Sequence, residues 1–154
     1  MRVKISIAAA GAAVAALAVA ESAAMTEPAA SPAAKKRPSL TIVKSDFGRV
    51  LANGRGRALY VFTSDDGKTS NCYGDCARAW PPYIVNSKPR AIDPARLGLV
   101  GTTRRSDDRL QATYDGHPVY YYVGDNAPGE VLCQAIEEFG GIWYVIRASG
   151  KVVR

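Results

Sequence analysis

The residues best suited to chemistry are three cysteines and a single histidine: Cys72, Cys76, Cys133 and His117. Three cysteines allow at most one intramolecular disulfide, and the residues alone leave open whether Cys72 pairs with Cys76 or one of the two pairs with Cys133. The spacing from Cys72 to Cys76 has one residue more than the Cys-x-x-Cys of thioredoxin-like redox sites. A redox or metal-handling envelope protein that uses Cys72 and Cys76 is therefore the alternative to a protein without catalysis.

Other arrangements that would support catalysis or cofactor binding are missing from the sequence. His117 lies between Gly116 and Pro118, where a hairpin turn is predicted, so we expect an exposed side chain without a catalytic partner. A single histidine excludes multi-histidine metal sites, and there is no glycine-rich phosphate loop or Gly-x-Ser-x-Gly nucleophile motif. We therefore expect no enzymatic activity, no cofactor and no bound metal.

A short motif, tyrosine-x-aromatic-x-x-aspartate, occurs twice, as Tyr60, Phe62 and Asp65 and again as Tyr120, Tyr122 and Asp125. The two aromatic residues of each copy are two positions apart, so they share one face of a β-strand. Each aspartate precedes a turn, where its carboxylate is expected to accept hydrogen bonds from backbone amides. The favoured interpretation is structural, with the rings in the core. The alternative is an exposed aromatic platform with a carboxylate rim for a sugar or another flat ligand.

The motif belongs to a longer duplication. Sliding the sequence by sixty residues superposes residues 44–65 on residues 104–125 without a gap. Further along, three extra residues in the second copy bring Trp80 over Trp143. This self-similarity indicates an internal repeat.

Each copy shows three predicted strands separated by turns, over residues 41–44, 49–51 and 58–62 and over residues 99–103, 110–114 and 119–123. Asn53-Gly54 and Asp115-Gly116 are typical of two-residue hairpin turns, because they adopt positive φ readily. Residues 142–147 and 152–153 form a last predicted hairpin. We expect a mostly β fold with two tandem antiparallel three-stranded meander repeats on a shared core.

Helix is expected only as short turns. Asp75 is a candidate cap for a turn over residues 76–80, which Pro81 ends. Asp93 and Pro94 are the expected start of a second helical turn.

The first 39 residues have a different composition from the rest of the chain. Arg2 and Lys4 precede an uncharged, alanine-rich run that closes on small residues, which is typical of a secretory signal peptide over residues 1–20. Residues 21–39 form an expected Ala/Pro-rich tether. Residues 40–154 form a predicted single β domain, with repeats over about 40–89 and 97–154.

The predicted export and the distribution of charge along the chain restrict the classes of partner that we expect. We expect a secreted or periplasmic location without a lipid anchor, because no cysteine stands just after the apolar run. The net charge is +6, but Arg2, Lys4 and the cluster 35–37 carry much of it, so nucleic-acid binding is not expected. For the basic residues 35–37 of the tether, we expect no more than a weak contact with an anionic surface. We expect a monomer whose partner is a small ligand or an envelope protein.

The repeated motif, together with two longer strings, resembles the bacterial secreted-repeat family. Residues 72–82 read Cys-Tyr-Gly-Asp-Cys-Ala-Arg-Ala-Trp-Pro-Pro, and residues 140–145 read Gly-Gly-Ile-Trp-Tyr-Val. Members of that family are exported proteins or predicted lipoproteins without an assigned function. Because both cysteines of the first string lie inside one repeat, the resemblance implies that Cys72 pairs with Cys76. It also implies an exported cell-envelope protein, which we expect to be a noncatalytic binding or structural module.

Overall fold

The structure is a computed structural model that describes residues 37–154 together with Gly11. Apart from Gly11, the predicted signal peptide lies outside the described residues, as do residues 21–36 of the predicted tether. Within the described part of the chain, no helix combines the length and the apolar character needed to cross a bilayer.

Short strands dominate the described residues, which contain β1 (Ser39–Ser45), β2 (Gly48–Asn53), β3 (Tyr60–Phe62), α1 (Asp75–Ala79), β4 (Arg90–Ala91), a 3-10 helix (Leu97–Leu99), β5 (Val100–Arg104), β6 (Leu110–Tyr114), β7 (His117–Pro118), β8 (Ile136–Glu138) and β9 (Gly141–Val145). They form three small sheets, with strand orders β2-β1-β4, β3-β9-β8 and β5-β6-β7. All pairs are antiparallel except β1 with β4. The expected mostly β fold class is confirmed.

The third strand of each repeat begins beside its own repeat and continues against the other. In the first repeat, the Leu59 amide donates to the Leu51 carbonyl at 2.9 Å, and the following strand β3 then pairs with β9. In the second repeat, the Val119 amide donates to the Ala112 carbonyl at 3.1 Å, before the chain reaches the first repeat at Tyr120. Neither repeat therefore completes its hydrogen bonding alone.

One of the two predicted hairpin turns forms as expected. Asp115 and Gly116 have φ values of 49° and 79° and make the two-residue turn between β6 and β7. The prediction for Asn53-Gly54 is wrong, because the loop spans residues 54–56 and Gly56 takes the positive φ of 86°. The Asn53 side chain causes the difference, since its Oδ1 accepts the amides two and four residues later and so stabilises a longer loop.

The helical turns also start elsewhere than predicted. Helix α1 has Gly74 as its N-cap residue, and Asp75 lies in the first turn without a capping hydrogen bond. The Asp75 carboxylate instead forms an exposed ion pair with Arg78. The 3-10 helix begins at Leu97 rather than at Asp93, because the segment before it closes a separate turn through the Ala95 amide and the Ile92 carbonyl, 2.9 Å apart.

Two hydrophobic clusters fill the interior, and both repeats contribute to each. The first is mainly aliphatic, and its buried members include Leu40, Ile42, Leu51, Leu59, Val61, Val100, Val119 and Ile146. The second is mainly aromatic, and its buried members include Tyr60, Phe62, Trp80, Tyr120 and Trp143. This arrangement provides the shared core that the duplication predicts.

A chain that ends at Pro89 should fail to fold cooperatively. It would lack β9, the partner of β3, and it would expose aromatic rings that the second repeat covers. We expect a featureless near-ultraviolet circular dichroism spectrum and a denaturant melt without a sigmoidal transition. Residues 37–154 as a separate chain serve as the control and should melt cooperatively. A cooperative melt of the shorter chain would contradict the interdependence of the two repeats.

Candidate functional site

The first tyrosines of the two motifs pair directly with each other. The Tyr60 amide donates to the Tyr120 carbonyl, and the Tyr120 amide donates to the Tyr60 carbonyl, each at 2.9 Å. Both residues are fully buried. Since they occupy equivalent positions in the two repeats, the axis of the internal pseudo-twofold symmetry passes between them.

The tyrosine hydroxyls then reach the aspartate of the opposite repeat. The Tyr60 hydroxyl donates to Asp125 Oδ2 at 2.7 Å, and the Tyr120 hydroxyl donates to Asp65 Oδ2 at 2.8 Å. We call these two hydrogen bonds the cross-repeat braces. They connect the start of each motif with the end of the other, a relation that the spacing within one motif does not reveal.

Each aspartate also holds its own loop. Asp65 Oδ1 accepts the amide of Asn71 at 2.8 Å, and Asp125 Oδ1 accepts the amide of Leu132 at 3.0 Å. The aspartates thus bond backbone amides of the loops that they open, as the sequence suggested. The same carboxylates therefore fix a loop and join the repeats.

Four aromatic rings stack across the symmetry axis. Trp80 and Trp143 lie with ring centroids 4.1 Å apart and an interplanar angle of 1°. Phe62 stacks on the outer face of Trp143 at 4.1 Å, and Tyr122 packs tilted against Trp80 at 4.8 Å. The motif tyrosines complete the cluster by packing edge-on against the tryptophans of their own repeats.

Burial excludes the aromatic platform. Tyr60 and Tyr120 are 0% exposed and Phe62 is 3% exposed, while Tyr122 is half-buried. A flat ligand therefore has no access to paired ring faces, and the structural interpretation of the motif applies.

A buried arginine extends one brace into the cysteine loop. Ser70 lies 2.7 Å from the Tyr120 hydroxyl and accepts a hydrogen bond from Arg105 Nη1 at 2.6 Å. Arg105 Nη2 donates to the Cys72 carbonyl at 2.7 Å. Arg105 is only 3% exposed. Sequence reasoning missed this residue, because nothing near it distinguishes it from exposed arginines at turns.

The cysteine loop contains a disulfide between Cys72 and Cys76, whose Cα atoms are 5.2 Å apart, and Cys133 is free. This is the pairing that the family resemblance implies. Cys72 is 0% exposed and Cys76 is 6% exposed, so a thiolate from another molecule has little access to the bond. Within residues 37–154, no three His, Cys, Asp or Glu side chains are grouped so that they could hold a metal ion.

Beside Asp65 the surface opens into a groove, which we call the C-terminal groove. It has a volume of about 620 Å³, and its lining includes Val61, Phe62, Asp65, His117, Tyr144, Lys151, Val152 and Arg154. Four of these residues are apolar or aromatic and three are basic. Among the described residues, none of the three basic side chains forms an ion pair.

Burial raises the pKa of the ionisable groups in both braces. It raises the pKa of the Asp65 carboxyl from 3.8 to about 6, although the hydrogen-bond donors and cations around this group act to lower it. Burial likewise raises the pKa of Asp125. Burial together with the neighbouring carboxylate raises the pKa of the Tyr60 and Tyr120 hydroxyls, which therefore remain donors near neutral pH.

A family model described as a secreted repeat of unknown function matches residues 41–83 and 101–147. The chain belongs to this secreted-repeat family. Each matched segment contains one copy of the tyrosine-x-aromatic-x-x-aspartate motif, so the pseudo-twofold symmetry relates two family repeats. The disulfide agrees with the oxidising compartment that a secreted family implies. No curated protein and no solved structure matches the chain.

The groove residues of this secreted repeat were mostly missed by sequence reasoning. His117 is exposed at a turn as expected, but the structure brings it beside Asp65 in the groove. Lys151 lies within the last hairpin and Arg154 follows it, and neither was singled out. One feature of the sequence could have indicated His117. In the alignment of the two repeats at an offset of sixty residues, it occupies the same position as another basic residue, Arg57.

Removal of either brace hydroxyl should destabilise this secreted repeat by a similar amount. We expect Tyr60→Phe and Tyr120→Phe to lower the free energy of unfolding by about 1–3 kcal/mol each, because each leaves a buried carboxylate oxygen without its donor. The alanine variants Tyr60→Ala and Tyr120→Ala should cost about 3–5 kcal/mol each. Denaturant melts measure all four. Tyr144→Phe is the matched control, since that hydroxyl has no hydrogen-bond partner among the described residues, and phenylalanine variants as stable as this control would contradict the braces.

The stability of the protein should depend on pH through Asp65. Its pKa is raised on folding, so the folded protein holds this proton more tightly than the unfolded chain does. The contribution is full below about pH 4 and is lost as the pH rises through about 6, by up to about 3 kcal/mol. Denaturant melts between these pH values should show the decline in wild type and in Asp66→Asn, an exposed control. An Asp65→Asn variant that declines as steeply as wild type would assign the effect to another group.

Proposed function

We propose that this secreted repeat is a noncatalytic binding module of the cell envelope, and that its C-terminal groove binds a small organic anion with an apolar body. The observation that carries the proposal is the composition of the groove. Apolar side chains and three unpaired basic side chains share one concave surface within the described residues. Small-molecule sites commonly combine an apolar lining with a few polar groups that orient the ligand.

The charges favour an anion over a cation. His117, Lys151 and Arg154 line the groove, whereas Asp65 is its one acidic lining residue. Asp65 already accepts hydrogen bonds on both carboxylate oxygens, from the Tyr120 hydroxyl and the Asn71 amide. Lys151 and Arg154 are therefore the charged side chains that remain available to a ligand, and a carboxylate, sulfonate or phosphate complements them.

The apolar part of the groove favours a ligand with a hydrocarbon or aromatic body. Val61 and Phe62 line it but are almost fully buried, so the half-buried Tyr144 and Val152 provide most of the apolar contact. A volume of about 620 Å³ lies within the usual range of about 300–1,000 Å³ for ligand pockets.

Catalysis has less support than binding. Both oxygens of Asp65 already accept hydrogen bonds from the protein itself, which supports a structural role for this carboxylate rather than that of a general base. A redox role at Cys72 and Cys76 is disfavoured because both sulfur-bearing residues are buried. A metal-handling role lacks a group of ligands within residues 37–154.

The remaining parts of the proposal concern location and assembly. A leader over residues 1–20 would export the protein to the periplasm or beyond, and a lipid-acceptor cysteine does not stand just after that segment. We propose that the protein acts as a monomer, with the basic cluster at residues 35–37 in weak contact with an anionic surface.

Anilinonaphthalene sulfonate is a suitable probe, because it joins an aromatic body to a single anionic group. We expect saturable fluorescence enhancement with the purified exported protein, and about tenfold weaker binding after Lys151→Gln combined with Arg154→Gln. Binding of the neutral analogue N-phenylnaphthylamine should change little in the same variant, since it makes only apolar contacts. Circular dichroism checks that each protein remains folded.

Lys88→Gln is the matched control for this experiment. Lys88 is exposed, carries the same charge and lies outside the groove. Its substitution should leave sulfonate binding unchanged. The proposal is refuted if the sulfonate probe binds the groove variant as tightly as wild type, or if the control weakens binding equally.

A further inference from the structure

A second cavity lies where the first repeat meets the second motif, and we call it the arginine pocket. It has a volume of about 400 Å³ and is lined by Asn53, Arg55, Arg57, Tyr121 and residues 126–128. Two of its lining residues are arginines and none is acidic. The pocket is therefore positively charged and mostly polar, unlike the apolar C-terminal groove.

The backbone that carries the arginines is held in place by one side chain. Asn53 Oδ1 accepts the amides of Arg55 and Arg57, at 2.9 and 3.1 Å. Gly56, between them, has a φ of 86°, and a Cβ there would lie 2.9 Å from Pro128. This close approach, which only glycine permits, brings the arginine loop against the turn at residues 126–128.

The Arg57 guanidinium is itself fixed. Its Nη2 donates to the Tyr122 carbonyl at 2.6 Å, and its central carbon lies 4.7 Å from the centroid of the Tyr121 ring. A guanidinium held by a carbonyl and an aromatic face needs little reorganisation to meet a ligand.

The two arginines keep donors that face the pocket. Of the guanidinium nitrogens of Arg57, only Nη2 has a hydrogen-bond partner within the described residues. Arg57 Nε also has no partner, which is uncommon for a buried donor, but because it is buried the guanidinium meets a ligand through its Nη groups. Arg55 is exposed and forms no ion pair within residues 37–154.

The acidic groups near the pocket are already engaged. The two oxygens of Asp125 accept the Tyr60 hydroxyl and the Leu132 amide. Glu130 Oε2 accepts the amides of Asn126 and Ala127. Neither carboxylate lines the pocket, so the guanidinium donors that face it have no acidic partner among its lining residues.

The position of the pocket repeats that of the C-terminal groove. With the sixty-residue offset, Arg57 corresponds to His117 and Tyr121 corresponds to Val61. Each basic residue lies near the brace aspartate of the opposite repeat, Arg57 near Asp125 and His117 near Asp65. The duplication has therefore produced two equivalent concavities with different linings.

We infer that the arginine pocket is a second binding site, which takes the oxyanion group, a carboxylate or a phosphate, of a small polar ligand. Two guanidiniums match the paired oxygens of such a group, and the volume leaves room for a small attached body. This site is distinct from the C-terminal groove and does not depend on the function proposed for it.

Nuclear magnetic resonance titration of the purified exported protein with inorganic phosphate and with acetate tests the inference. We expect saturable shifts of the Arg57 Nε–H signal and of the Ala127 amide, with sodium chloride at equal ionic strength as the reference. Binding of phosphate alone assigns a phosphate-bearing ligand, binding of acetate alone assigns a carboxylate, and binding of both supports the shared chemistry. Shifts that sodium chloride reproduces in full would overturn the inference.

Two variants locate the binding site. Arg57→Lys should weaken binding about tenfold, because it keeps the charge but loses the fork of donors. Arg55→Gln leaves the buried contacts intact and should weaken binding about threefold, which keeps the test valid if Arg57→Lys does not fold. Lys88→Gln, at an exposed lysine outside both cavities, should have no effect. Anion binding that responds to Lys151→Gln and not to Arg55→Gln would refute the arginine pocket while leaving the groove as a site.

Discussion

A buried tyrosine hydroxyl needs an acceptor, and a buried carboxylate needs donors, because either group left alone in a protein interior is costly. In this secreted repeat, the motif tyrosine of each repeat donates its hydroxyl hydrogen bond to the motif aspartate of the other repeat, across the internal pseudo-twofold axis. Tyr60 and Tyr120 also exchange backbone hydrogen bonds, so the braces start from a point that both repeats share. Since every one of these partners lies in the opposite repeat, neither half can satisfy its own polar groups.

The tight pairing at the axis organises the rest of the core. It places Trp80 and Trp143 face to face, with the second motif aromatics outside them. It also fixes the two loops that follow the aspartates, one of which carries the disulfide. Within the described residues, Trp143 Nε1 is buried without a hydrogen-bond partner, whereas Trp80 Nε1 donates to Glu138 at 2.9 Å. The two repeats therefore arrange their aromatic rings in nearly the same way, but the hydrogen bonds of the tryptophan nitrogens differ between them.

The braces also account for where the two concavities lie. Each brace aspartate ends a motif beside the turn of the opposite repeat, and the residue after the turn glycine is basic in both cases, Arg57 or His117. A loop and a strand end from different repeats thus meet twice, leaving a hollow at each meeting point. Divergence of the linings, with Val61 in one hollow and Tyr121 in the other, made one apolar and the other polar.

Much of the architecture could be predicted from local pattern. The strands and the turn at Asp115-Gly116 depend on neighbouring residues, and the duplication is visible as self-similarity at an offset of sixty residues. The mostly β repeat fold could therefore be predicted from the sequence. The Asn53-Gly54 prediction failed because a side chain stabilised a longer loop than the dipeptide suggests. That same side chain positions Arg55 and Arg57. The wrong prediction of the turn and the failure to predict the arginine pocket therefore have one cause, the hydrogen bonds of Asn53.

The sequence by itself determined the family and the two repeats, and it favoured a structural role for the motif without excluding an exposed platform. Only the tertiary structure decided which tyrosine meets which aspartate, that the rings are buried, and that His117, Lys151 and Arg154 share a groove. The physical reason is the range of the interactions. Strand periodicity and turn chemistry act over a few neighbouring residues, whereas the braces join groups 55 and 65 residues apart and exist only once the two repeats have packed together.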